Sequence, residues 1–200
     1  MTTNFDFYFD FSSPYAYLAS TQIEALAAEF GRQVNWHPIL LGPMFKTMGS
    51  APLTEIPLKG SYALHDFKRS ATLNGIPYVH PQVFPISTVS AARAVLYVQH
   101  TQPEKVAVFA KRLFQAYFAE NQAINETDIV LALAAEVGLD AVKLADGMVS
   151  ETIKNQLKQT VTDAMQRGVF GAPFIFIDNE PFWGFDRFDQ IRKWLAIQTQ

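Results

Sequence analysis

The chain contains no cysteine. That absence excludes a disulfide framework, cysteine-based metal sites and thiol–disulfide exchange by the protein's own side chains, since exchange requires a thiolate to attack a disulfide sulfur. Histidine is scarce: His37, His65, His80 and His100 show no metal-ligand spacing. There is no His-Glu-x-x-His, no Gly-x-Ser-x-Gly and no phosphate-cradling glycine loop. No metal site is therefore expected. Charge is also sparse, at 18% of residues with a net charge of −3, so nothing attracts nucleic acid or an anionic membrane surface. No apolar run approaches the roughly 20 residues that span a bilayer. The segment Met1–Asp6 lacks the basic and apolar regions of a secretory signal. The expectation is a soluble cytoplasmic protein, with neither nucleic acid nor membrane as partner.

What is present is apolar and aromatic. Hydrophobic residues make up 49% of the chain, including 17 Phe and 7 Tyr, enough to fill the core of one large domain or of a domain with an insertion. Phe5, Phe7, Phe9 and Phe11 alternate with Asp6, Tyr8 and Asp10, which is strand periodicity. Pro14 then suits a first helical turn and Ser13 suits its N-cap. Leu18, Ile23, Leu26, Ala27 and Phe30 mark a helical face that Gly31 closes. A second strand is expected over 33–41. Residues 42–61 read as loop-like, punctuated by Pro43, Gly49, Pro52, Pro57 and Gly60, a length that is uncommon unless the loop is functional or partly structured. Helical spacing covers 62–73, 88–100, 103–120, 127–137, 139–147 and 150–167. A strand over 173–177, a turn at Asp178–Glu180, a short strand over 181–183 and a final helix over 187–197 follow, with Asp186 a candidate cap. The order is β-α-β, helical insertion, β-β-α. It divides the chain into a discontinuous α/β domain, 1–61 with 168–200, around an all-helical insertion, 62–167.

Few residues in this pattern can carry chemistry. Ser13 places a hydroxyl at a helix N-terminus, beside free N–H groups that favour a bound anion and depress the pKa of a thiolate. Taken alone, it is also an ordinary N-cap. Pro173, after Gly168-Val-Phe-Gly-Ala172, stands where a cis X-Pro bond is common, and a peptide-like ligand can pair with such a free edge. It can equally begin a plain strand. Lys59 is a flexible cation able to meet a carboxylate, or a solvated loop lysine. Asp186 is able to hold an ammonium group, or to cap the last helix.

The strand, polar turn and helix around Ser13 have the layout of a thioredoxin-type active site, with Ser13-Pro14-Tyr15-Ala16 where redox members carry Cys-x-x-Cys. Four blocks extend the likeness over nearly the whole chain: Phe9–Ala19, Met48–Tyr62, Gly168–Pro173 and Phe182–Arg187. In that order and spacing they resemble the 2-hydroxychromene-2-carboxylate isomerase family of the DsbA-like thioredoxin superfamily, which is related to the kappa-class glutathione transferases.

The resemblance implies a thioredoxin-like domain with an inserted helical subdomain, and glutathione as the missing sulfur. Ser13 would donate a hydrogen bond to the glutathione thiolate. Val169, ahead of a cis Pro173, would pair its backbone with the cysteinyl moiety. Lys59 would meet the glycine carboxylate and Asp186 the γ-glutamyl ammonium. Ser50 and Ser87 stand where many relatives carry Asn, so glutathione contacts at Ser50 would differ in shape. The implied activity is opening of an aromatic chromene acid and cis–trans isomerisation to the trans-benzylidenepyruvate, in aromatic-compound degradation, by a homodimer. Two rival readings are a kappa-like transferase, in which the thiolate stays on the electrophile, and a catalytically silent thioredoxin-like peptide-binding module.

Overall fold

The alternation in the first strand sorts two environments. In the computed structural model, which describes residues 4–198, β1 (Phe5–Phe9) turns Phe5, Phe7 and Phe9 into one core. Tyr8 joins a second core on the opposite face. The outermost residues of the expected division, 1–3 and 199–200, lie outside the described part. β1 pairs in parallel with β2 (Val34–Pro38) and antiparallel with β3 (Phe174–Ile177), which forms a hairpin with β4 (Glu180–Trp183). The sheet order is β2-β1-β3-β4. The parallel pair requires a crossover, and α1 (Pro14–Ala28) supplies it. The two central strands are the ones with the most completely buried side chains.

Helices cover both faces. The Phe core is shared with α1 and with α5 (Val106–Phe118), whose Phe114 packs on Phe9 and Phe11 at ring-centroid distances of 5.6 and 4.7 Å. The second core gathers Ile39, Met44 and the buried stripe Ile153, Leu157, Val161 and Ala164 of α8 (Glu151–Gln166). Helix α4 (Val89–Thr101) serves both cores, with Ala91 and Val95 in the first and Ala92 and Leu96 in the second. α6 (Thr127–Glu136) and α7 (Ala141–Met148) pack with α4 to complete the helical part. A hydrophobic stripe this wide on a helix is the form taken by a helix buried between layers.

The segment 42–61 departs from the loop expectation. It holds α2 (Leu41–Met48), a short 3₁₀ turn at Leu53–Glu55 and the start of α3 (Lys59–Leu73). Pro43 is no breaker there, because it occupies the first turn, where no backbone N–H bond is lost. Gly49 ends α2 in the left-handed conformation, φ 64°. Gly60 permits the 3₁₀ turn to sit against α3: a Cβ at that position would lie 2.3 Å from the Thr54 carbonyl oxygen. The chain ends with a 3₁₀ turn at Phe185–Arg187 and α9 (Phe188–Gln198). Among the described residues no helix is long and apolar enough to cross a membrane.

Candidate active site

Ser13 is 6% exposed and caps α1. Its Oγ accepts from the Ala16 N–H at 3.2 Å and donates to the Ala172 carbonyl at 2.9 Å. That second bond spans 159 residues and joins the turn to the Ala172–Pro173 peptide, which is cis. A second cis bond, Phe84–Pro85, was not expected from the sequence. Pro173 is fixed in turn by its carbonyl, which accepts from Gly184 N–H at 3.0 Å. The Ser12 hydroxyl beside Ser13 is buried and has no hydrogen-bond partner among the described residues.

The backbone ahead of Pro173 divides its amides between the helix and the site. Val169 is 2% exposed, and its N–H donates to the Ala164 carbonyl at 2.9 Å, closing the end of α8. That amide is committed to its own helix. Ala172, immediately before Pro173, is half-buried, and its N–H has no partner among the described residues.

Three other candidates are exposed residues on separate elements. Lys59 is the first residue of α3 and exposed, and its ammonium has no ion-pair partner among the described residues. The first turn of α3 carries no acidic residue, and the helix has no side-chain cap. A cation there opposes the positive end of the helix dipole. Ser50, also exposed, follows the α2 cap and donates its N–H to Phe45. Asp186 lies within the 3₁₀ turn and pairs with Arg187 at 3.2 Å, so it is not the cap expected of it. Gly184 (φ 115°) allows that turn, because a Cβ would come within 2.4 Å of Asp186 Oδ1.

Tyr15 connects these parts and was not anticipated. It is the third residue of the Ser-Pro-Tyr-Ala turn, and its hydroxyl donates to Asp66 of α3 at 2.5 Å. Asp66 also binds Arg69, which lies over the Tyr62 ring. Burial, the Asp66 bond and the charges of Asp66 and Asp186 push the Tyr15 hydroxyl far above its ordinary value, so it stays a proton donor. Lys59, Tyr62, Asp66 and Arg69 share one face of α3, at helical spacing. The spacing is visible in the sequence. The attachment of that face to the Ser13 turn is not.

Asp10 is the other residue the sequence left unmarked. It is 4% exposed. Its Oδ1 accepts from Ser12 N–H at 2.9 Å and Thr88 Oγ1 at 2.8 Å, and its Oδ2 from Leu41 N–H at 2.7 Å. Burial raises its pKa, and the bonds from Leu41, Ser12 and Thr88 oppose that rise. Two hollows lie elsewhere: one of about 220 Å³ between α4 and α7, and one of about 620 Å³ along the free edge of β2. Neither is lined by Ser13, Lys59, Pro173 or Asp186. Among the described residues no cluster of His, Asp and Glu is arranged to hold a metal.

The comparisons agree with this geometry. The family model for the DSBA-like thioredoxin domain matches residues 4–196. A 2-hydroxychromene-2-carboxylate isomerase of Sphingobium xenophagum is 30% identical over 197 residues, 98% of this chain and 99% of that protein. A glutathione S-transferase kappa 1 of Caenorhabditis elegans is 26% identical, over 93% of this chain and 88% of its own. The solved structure of a 2-hydroxychromene-2-carboxylate isomerase superposes with a TM-score of 0.88 at 25% identity, covering 98% of this chain and 96% of that one. The cysteine-free turn, its bond to a cis-proline segment and these full-length matches place the chain among the DSBA-like thioredoxin domains, and it belongs there to the 2-hydroxychromene-2-carboxylate isomerase family.

Proposed function

We propose that the protein is a glutathione-dependent isomerase of the 2-hydroxychromene-2-carboxylate type. The observation that carries the reading is the junction of Ser13 with Ala172–Pro173 in a chain without cysteine. The helix N-terminus there is built to stabilise a thiolate, and the protein has none of its own. Glutathione would supply that thiolate as a nucleophile to the unsaturated acid and be returned unchanged.

The residues fit such a ligand. Rotation about one bond turns the Ser13 hydroxyl proton from the Ala172 carbonyl toward a sulfur. The orphan Ser12 hydroxyl and the open Ala172 N–H are polar groups left over for a peptide-like molecule. Lys59 and the uncapped N-terminus of α3 suit a carboxylate. Lys59 precedes Asp66, the residue bonded to Tyr15, by seven positions. That is about 10 Å along a helix at 1.5 Å per residue, the span of a tripeptide at roughly 3.5 Å per residue. Asp186 supplies a carboxylate on the Tyr15 side for an ammonium group, and its charge is felt at the Tyr15 hydroxyl. Tyr62 offers an exposed aromatic face to an aromatic substrate.

Calorimetric titration with glutathione, followed by an assay on 2-hydroxychromene-2-carboxylate, tests the reading. Binding with turnover and no net loss of glutathione is expected. Absence of both overturns it. The likeness to kappa-class transferases favours one second reading, conjugation. Stoichiometric consumption of glutathione with an aryl halide, and no isomerisation, would select it. Light scattering on the same sample reads the homodimer implied by the family resemblance.

A further inference from the structure

Asp10 is an acid buried without a cation. Among the described residues it forms no salt bridge, and each of its three bonds comes from a neutral donor. Tyr117, which feels its charge, points its hydroxyl to the Val83 carbonyl instead. A buried unpaired carboxylate costs stability, so its three partners indicate what it secures.

They belong to three separate segments. Ser12 N–H is the turn that presents Ser13, and the Asp10 carbonyl adds a bond from Ser13 N–H at 2.9 Å. Leu41 N–H is the first residue of α2, whose far end leads through Ser50 to Lys59. Thr88, itself 4% exposed, is the residue from which α4 starts. One carboxylate thus joins the turn to the arm that carries Lys59 and to the helical part. Burial works against its charge and raises its pKa, while the bonds from Leu41, Ser12 and Thr88 favour the charged form.

We propose that Asp10 is a positioning residue for the thiol bound at Ser13: it fixes the turn so that the Ser13 hydroxyl and the α1 N-terminus face the sulfur. The inference rests on the glutathione reading and concerns the same site. It makes a prediction opposite in sign to simple charge repulsion. Deleting a negative charge near a thiolate should lower the thiol pKa. Loss of positioning should raise it, because the donors that favour the thiolate fall out of line.

The measurement is the ultraviolet absorbance of the bound glutathione thiolate, titrated against pH at saturating protein. Wild type should show a thiol pKa below that of free glutathione. Asp10→Asn should raise it by about one unit, the scale of one lost charge-favouring hydrogen bond. Thr88→Val keeps the carboxylate and removes one of its donors, and should raise the pKa by roughly half as much. Thr88→Ser restores the hydroxyl and should return the wild-type value. If Asp10→Asn does not fold, the two Thr88 variants decide. An unchanged or lowered thiol pKa in the folded variants overturns the proposal and leaves the glutathione reading intact. A wild type that binds no thiolate overturns both.

Discussion

Asp6 and Asp10 sit on one strand run, on the same face, and the fold treats them in opposite ways. Asp6 lies near the start of β1 and has three side-chain partners, one of them a cation: His37 at 3.2 Å, Asn35 at 2.9 Å and Arg167 at 2.7 Å. Arg167 is braced over the Phe176 ring, 4.0 Å from its centroid, and contacts the Tyr8 hydroxyl. Partial burial pushes the Asp6 carboxyl upward, but the bonds from His37, Asn35 and Arg167 outweigh it and hold the carboxyl far below the usual range. Asp10 lies just past the other end of β1, has no cation, and is pushed upward by burial. One acid ties the sheet to the end of α8, whereas the other is held at a cost to stability beneath the Ser13 turn. Counter-charge marks a structural acid here, and its absence marks one that serves a site.

The largest effect that would separate the two ends is at Ser13. Ser13→Ala removes the hydroxyl offered to the sulfur and the cap of α1. Activity should fall about 10²–10³-fold, the scale seen when one donor to a developing anion is lost, while the cap costs only about 1 kcal/mol. Steady-state kinetics and urea denaturation on one preparation test both halves. Unchanged activity would move the protein toward the silent binding module and remove the functional meaning of the Asp10 end.

The next effect is at the Asp6 end and has the reverse character. Asp6→Asn should cost about 1.5–3 kcal/mol at pH 7, the range for hydrogen bonds to a charged group, with activity per folded molecule unchanged. The pH dependence follows from the direction of the shift. The folded-state pKa of Asp6 is depressed, so its contribution is complete above the unfolded carboxyl value near 4 and disappears as pH falls toward the folded value. Asp10 runs the other way. Its folded pKa is raised, so the native state binds the proton more tightly. Stability from this group grows as pH falls through that raised value, and levels off below the unfolded value. Denaturant midpoints measured from pH 7 to 3 should therefore show the gap between wild type and Asp6→Asn closing only below about pH 4. A gap independent of pH would mean that Asp6 acts through packing and not through charge.

The contrast also explains what could be read from the chain. The Phe alternation, the Ser13-Pro14 helix start, Pro173 after its glycine turn and the element order all rest on neighbours within a few residues. Such local rules suffice for them. The helices within 42–61 are hidden in the sequence because Gly42, Pro43, Pro52 and Pro57 look like punctuation. In the fold, Pro43 falls within a first helical turn, and Gly60 serves a close approach of the 3₁₀ turn. Asp10 looked like one polar residue in an alternating strand. Its meaning comes from Leu41 and Thr88, 31 and 78 residues away. Tyr15 draws its role from Asp66, 51 residues away. Nothing in the sequence says which amide of Val169–Ala172 the end of α8 consumes; in the fold it is that of Val169.

Packing supplies a smaller test of the arm that Asp10 anchors. Gly60→Ala drives a Cβ into the Thr54 carbonyl. Backbone cannot yield as a side-chain tip does, so the variant should lose about 1–3 kcal/mol, as overpacked sites do. Because the 3₁₀ turn is displaced with it, glutathione affinity should fall as well, whereas a disturbance at the Asp6 end should leave affinity unchanged. Calorimetry on Gly60→Ala and Asp6→Asn side by side reads this difference. Equal affinities would detach the arm from the site.

The smallest expected effect is at Lys59, and its value lies in two opposite signs. As the first residue of α3, with no acid in the first turn, its ammonium opposes the helix dipole. Lys59→Ala should therefore leave stability equal or slightly improved, since alanine is also the better helix former. Affinity for glutathione should nevertheless fall about tenfold, as when one charge-assisted contact to a carboxylate is lost. High salt should narrow that difference, because the contact is exposed and screened. A residue kept for the fold loses stability when removed, as Asp6 should. A residue kept for a ligand loses only the ligand, and Lys59→Ala measured by thermal melting and calorimetry decides which kind it is.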